Sequence, residues 1–129
     1  MLNVKKLIKK ILGCCYVTGS SGDWAWKKYT DGTFELWGYV TKTQPLSAAS
    51  AGTYYNANEN KRVDLPIDFY IKSCRVVAIA SPPLSSGVYV YEIGWSAQYA
   101  RAIDVGFRAH ASVSNAACSA EVFVTGTWE

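Results

Sequence analysis

The chain has little of what most catalytic sites are made from. Among 129 residues there is one histidine, His110, and only 18% of the residues are charged. No Gly-x-Ser-x-Gly turn offers an activated serine, and no glycine-rich loop of the phosphate-binding kind occurs. A hydrolase needs a nucleophile with its base, or two carboxylates converging on one bond. His110 stands at the end of an ordinary strand-like stretch, and Glu35, Glu92, Asp104 and Glu121 each fall on a predicted strand, where a carboxylate is ordinarily solvated or part of an interface. These absences point away from an enzyme. The four cysteines, Cys14, Cys15, Cys74 and Cys118, form no C-x-x-C pair, so no zinc site is expected and no cofactor is implied. Cys74 and Cys118 sit in apolar stretches and read as small packed hydrophobes, while the adjacent Cys14 and Cys15 have no evident role.

Long hydrophobic runs are missing as well, which excludes a spanning helix. Ile11-Leu12-Gly13-Cys14 loosely resembles a lipoprotein cleavage box, but Lys9 and Lys10 leave only Ile11 and Leu12 ahead of the glycine. A signal peptide needs roughly 7 to 15 apolar residues there, so neither export signal nor membrane insertion is expected. The net charge of +3 owes much to Lys5, Lys6, Lys9 and Lys10; apart from these the chain is near neutral. That is a local cluster rather than a phosphate-binding face, and nucleic acid is not an expected partner.

What is present is apolar and aromatic: half the residues are hydrophobic and 14% aromatic, enough to fold one domain. From Leu2 to Leu12, Val4, Leu7, Ile8 and Ile11 recur at helical spacing with lysines between them, so residues 1–13 predict a short amphipathic helix. Such a helix is too short to stand alone in water; self-association through those four residues is the preferred reading, with packing on the domain or on a membrane surface as alternatives. Gly13 to Gly22 carries the turn formers Gly19, Ser20, Ser21 and Gly22 and is read as the passage into a β domain over 14–129.

That domain predicts about seven strands and no further helix. Trp24 to Tyr29 and Thr33 to Val40 flank Asp31-Gly32, a strong two-residue hairpin signal. In the second of these strands Phe34, Leu36, Gly38 and Val40 form an aliphatic face for the core. Gln44 to Lys61 reads as a long connection with at most a short strand near Tyr54 and Tyr55, and Val63 to Ile67 as an edge strand interrupted by Pro66. Ser73 to Ala80, Val88 to Trp95, Ala102 to His110 and Ala120 to Trp128 follow, with Ile103, Val105, Phe107, Ala109, Ala120, Val122 and Val124 inward. The expected class is all-β: an antiparallel β-sandwich of jelly-roll type behind a short N-terminal helix.

Within the hairpin, Trp24, Trp26 and Trp37 are placed to pair across the strands, and Glu35 faces the strand carrying Lys27 and Lys28. Sugar binding is the sharpest alternative function, because aromatic rings stack on the apolar faces of sugars; Tyr54, Tyr55, Tyr89, Tyr91, Trp95 and Tyr99 lie in or beside the predicted loops and strand ends. The plainer reading of the same rings is packing within the core or between subunits.

The segment Tyr16 to Gly38, with its glycine, Trp24-Ala25-Trp26-Lys27-Lys28-Tyr29, the Asp31-Gly32 turn and Glu35-Leu36-Trp37-Gly38, resembles the C-terminal domains of tail-fibre and baseplate proteins from phages and prophages of Gram-positive and gut bacteria. Val63-Asp64-Leu65-Pro66-Ile67-Asp68-Phe69 and the closing strand to Trp128 are similar more weakly. The resemblance implies a virion component assembled in the host cytoplasm, commonly a homotrimer, in contact with other virion proteins and with host surface polysaccharide. The long upstream shaft of that family is not within these 129 residues, so a small separate protein, a head-fibre or decoration element, or a piece cut from a longer chain are the variant readings.

Overall fold

The computed structural model describes residues 15–80, 87–95 and 100–128. They form ten strands: β1 (Tyr16–Ser21), β2 (Trp24–Tyr29), β3 (Thr33–Leu46), β4 (Ala48–Ser50), β5 (Thr53–Tyr55), β6 (Arg62–Asp64), β7 (Ile71–Ala80), β8 (Tyr89–Trp95), β9 (Ala102–Arg108) and β10 (Val113–Trp128). All pairings between them are antiparallel. The protein is all-β, with no helix among the described residues. The amphipathic segment with Val4, Leu7, Ile8 and Ile11 lies outside the described residues, as do Cys14 and Tyr99.

A five-stranded sheet in the order β1-β2-β3-β10-β7 and a three-stranded sheet in the order β6-β9-β8 share one core. Alternation decides which side chains enter it. On β3, Phe34, Leu36 and Val40 are buried; on β10, Ala120, Val122 and Val124; on β9, Ile103, Val105 and Phe107, with Ala109 just beyond the strand. These are the inward faces expected from the sequence, and their period-2 spacing is the physical reason, since successive residues of a strand point to opposite sides. Leu65, Ile67 and Phe69, on the run between β6 and β7, bury their side chains against the same cluster.

Four expectations need correction. First, the turn-like run ending at Gly22 is mostly strand β1, paired with β2 from Tyr16↔Tyr29 to Ser21↔Trp24. Gly19 suits the strand because the Trp26 ring lies where its Cβ would be, so a side chain there would have to displace that ring. Second, the turn between β2 and β3 is not the two-residue form in which both Asp31 and Gly32 take positive φ. Gly32 N–H donates to the Tyr29 carbonyl at 3.1 Å, and of the turn only Gly32 is left-handed (φ 92), so the turn runs through Thr30-Asp31 and closes on the glycine. The Asp31 carboxylate accepts from the backbone N–H and hydroxyl of Thr33, at 3.0 and 2.6 Å, which satisfies this longer turn.

Third, the long connection after Gln44 is shorter than expected. β3 continues to Leu46, with Pro45 opposite the irregularity between Val113 and Ala116 of β10, where its missing N–H is tolerated. β4 and β5 then form a tight hairpin, and β5 joins the small sheet through the bridge Tyr54↔Ala109. Fourth, β10 begins at Val113 rather than near Ala120, and it pairs with both β3 and β7.

The β4–β5 turn places Ala51 at φ 51 and Gly52 at φ 81. An L-residue with a Cβ in that region costs roughly 1–2 kcal/mol. Ala51→Gly, or Ala51→Asn, is therefore expected to raise the unfolding free energy by about 0.5–1 kcal/mol, read from denaturant titration. A loss of stability would contradict the assigned turn.

Candidate functional site

The surfaces with the most to offer a partner lie on the outer sides of the two sheets. On the five-stranded sheet, cross-strand register builds an apolar band. Ala25 is opposite Trp37, Trp37 opposite Phe123, and Phe123 opposite Val77; one row further, Tyr39, Glu121 and Ile79 line up. Trp37, Tyr39, Val77, Ile79 and Phe123 are all exposed, Ile79 at 63%. They line a depression of ≈ 340 Å³ together with Asp23 and with Glu121, which stands between Tyr39 and Ile79. The Tyr39 hydroxyl donates to the Glu121 carboxylate at 3.2 Å, and that negative charge raises the pKa of the phenol. Single exposed apolar residues are ordinary, but a contiguous aromatic and aliphatic band across three strands marks an interaction surface.

The tryptophans expected to pair across the hairpin divide between its two faces instead. Trp37 is opposite Ala25 and points outward, whereas Trp26 is opposite Leu36 and turns inward with Trp24 against the core. Trp24 lies over Gly38 and Trp26 over Gly19, each ring filling the space a side chain would take on the neighbouring strand. Glu35 does come opposite Lys27, but its carboxylate accepts from the Tyr29 hydroxyl at 3.2 Å, and the Lys27 ammonium lies 5.0 Å from the Tyr16 ring centre. The expected ion pair is thus replaced by contacts with two tyrosines.

On the small sheet, Arg108 carries the geometry. Its guanidinium lies 3.8 Å from the Tyr91 ring centre and 5.3 Å from that of Tyr55, and it donates to the Thr53 hydroxyl at 2.9 Å. Beside it Lys61 crosses Gly106 to pair with Glu92; the hydrogen bond to that carboxylate is the main cause of the raised Lys61 pKa. Tyr91 is 58% exposed, so one ring face is held by Arg108 while much of the residue stays open to solvent.

The sequence-nominated rings therefore scatter. Tyr55 and Tyr91 meet around Arg108; Tyr54 is tied into the sheet by its backbone bridge to Ala109; Tyr89 stacks on His110 with centroids 4.9 Å apart; and Trp95 packs against the core. Glu35 and Glu121 lie on the large sheet, Glu92 and Asp104 on the small one, and among the described residues no group of three or more His, Cys, Asp or Glu side chains is placed to hold a metal ion.

One acid went unread in the sequence. Glu59, in the asparagine-rich run after β5, has a side chain only 2% exposed. It accepts from Gln44 Nε2 at 3.0 Å and from the Phe107 backbone N–H at 3.3 Å, with Lys42 Nζ at 3.5 Å. Asn56 completes the group by donating to Gln44 at 3.3 Å. These bonds staple the loop to both sheets. Glu59→Ala leaves the Gln44 amide and the Phe107 N–H without this acceptor and Lys42 with the Asn60 carbonyl but no counter-charge, so it is expected to cost about 1–3 kcal/mol in denaturant unfolding, with Glu59→Gln showing part of the loss. An unchanged midpoint for Glu59→Ala would show that the staple contributes nothing.

Cys74 is half-buried and desolvation pushes its thiol up to about 11; burial likewise raises the pKa of Cys118, which Gln44 approaches at 3.9 Å. Both thiols are free and behave as packing groups.

Comparison with known proteins adds no relative: no family model matches the sequence, and neither the curated proteins nor the solved structures contain a match.

Proposed function

We propose that this chain is a non-enzymatic structural protein of a phage virion, of tail-fibre, baseplate or head-fibre type. In this reading it is a sandwich domain of jelly-roll kind, works as a homotrimer and contributes to attachment at the host surface. The observation that carries the reading is the exposed apolar band on the five-stranded sheet. Trp37 of that band comes from the Tyr16–Gly38 segment that resembles phage tail proteins, with Tyr39 just beyond it, and β1, β2 and the first part of β3 form that segment as one continuous meander. A monomer would leave this band in water, while an assembly buries it.

Sedimentation velocity of the intact chain at micromolar concentration tests the proposal. A trimer that dissociates in the Phe123→Lys variant is expected, and a stable monomer overturns it. The Arg108, Tyr91 and Tyr55 cluster supports a second reading, a carbohydrate-binding module, since an exposed ring beside a guanidinium can stack on a sugar and donate to its hydroxyls. On a glycan array, binding lost in Tyr91→Ala with the fold intact would favour this reading, and an array without signal would remove it.

A further inference from the structure

We infer that the apolar band on the outer face of the five-stranded sheet is the seat of the N-terminal segment, residues 2–12, of a neighbouring copy of this chain. The inference rests on the proposed assembly and names the contact that builds it.

The two surfaces match in chemistry. Val4, Leu7, Ile8 and Ile11 repeat at the spacing of one helix face, flanked by Lys5, Lys6, Lys9 and Lys10. The band offers Trp37, Phe123, Val77 and Ile79 and carries two carboxylates, Asp23 in its lining and Glu121 between Tyr39 and Ile79, while the next row sets Glu35 between Lys27 and Arg75. An apolar stripe edged by cations thus meets an apolar band that holds the carboxylates of Asp23 and Glu121, an arrangement that buries area and lets the lysines find opposite charge. As a helix, eleven residues span ~16 Å, comparable to the width of the three strands that carry the band.

Reach argues for a neighbour rather than the same copy. The segment enters the fold through Cys15, whose carbonyl accepts from Thr30 N–H at 3.0 Å at the turn end of edge strand β1. Ile79 lies on β7, the opposite edge, four strand spacings away and seven residues further along, which is ~19 Å across and ~23 Å along the sheet. A fully extended Gly13–Cys15 link covers only ~10 Å. A helix on its own sheet would fall short of Ile79 even at full stretch, whereas one from an adjacent copy lies along the band without that limit. Arm to face is a head-to-tail contact, and such contacts close into rings such as a trimer when the rotation permits.

The test places a benzoylphenylalanine photo-cross-linker at Leu7 of the full chain, assembled from a one-to-one mixture of ordinary and heavy-nitrogen chains. Mass spectrometry should find the Leu7 position joined to β7 or β10 peptides, with mixed-isotope pairs as abundant as random exchange allows. In parallel, a full chain carrying Leu7→Lys and Ile11→Lys should sediment as a monomer while keeping its far-ultraviolet circular dichroism, and so should Ile79→Lys. Cross-links between two arms, cross-links only within one isotope, or an oligomer untouched by the arm substitutions would overturn the inference and leave the assembly standing. A monomeric parent would remove both.

Discussion

Replacing Gly126 with alanine is expected to destabilise the fold by about 3 kcal/mol, the upper end of what overpacking costs, and valine to prevent folding altogether. Gly126 is held between two strands at once, opposite Phe34 of β3 and Cys74 of β7. A Cβ at that position would overlap the Ser73 carbonyl oxygen and lie 2.7 Å from the Cys74 Cα. Both obstacles are backbone, pinned by the ladder, and the only escape is to part β7 from β10. Gly38 and Gly19 give the internal comparison, because there the obstacle is a tryptophan side chain that has a rotamer to give. Gly38→Ala should cost about 1–2 kcal/mol. Denaturant unfolding at one fixed protein concentration ranks the three, and a Gly126→Ala midpoint equal to the parent's would show that the strands do not approach as described.

Trp128→Ala is the second large effect, expected at about 3–5 kcal/mol. The residue ends β10 yet works at the far end of the hairpin. Its indole Nε1 donates to the carbonyls of Tyr29 and Thr33, both at 3.0 Å, and its backbone N–H to that of Gly32 at 2.9 Å. The ring also packs edge-on to Phe69 at 6.4 Å, with Lys28 Nζ 4.3 Å above it. Trp128→Phe keeps most of the packing and removes the donor, so its loss should be near 1 kcal/mol. Equal losses for Ala and Phe would mean that the hydrogen bonds, not the ring, hold the turn to the last strand.

The parts of this fold legible in the sequence are those where one residue type repeats at one period. β3, and β10 from Ala120 to Val124, alternate cleanly, so their buried faces follow directly, and on β9 Ile103, Val105 and Phe107 keep the same spacing although Ala102 and Gly106 are buried as well. β1 was hidden because Gly19, Ser20 and Ser21 have the composition of a loop; its glycine answers to a ring on another strand, which local composition does not reveal. The Ala51-Gly52 turn escaped because alanine seldom adopts positive φ. Glu59 reads as a solvated loop acid until its three partners arrive from β3 and β9.

The apolar band was only half visible. Trp37 and Tyr39 stand out on their own strand, but Val77 and Phe123 join them only through register between distant segments. The rings are less legible for the opposite reason: a run of aromatics carries no information on which share a face, and among the described residues only Tyr55 and Tyr91 do so around Arg108.

The division of the tryptophans has a practical consequence. Trp24, Trp26, Trp95 and Trp128 pack against the core, and Trp37 alone is turned outward on the band. The chain therefore carries its own optical gauge: a soluble collisional quencher should dim chiefly Trp37 while that surface is bare, and whatever comes to rest there will announce itself as a protected, blue-shifted emission without any dye attached.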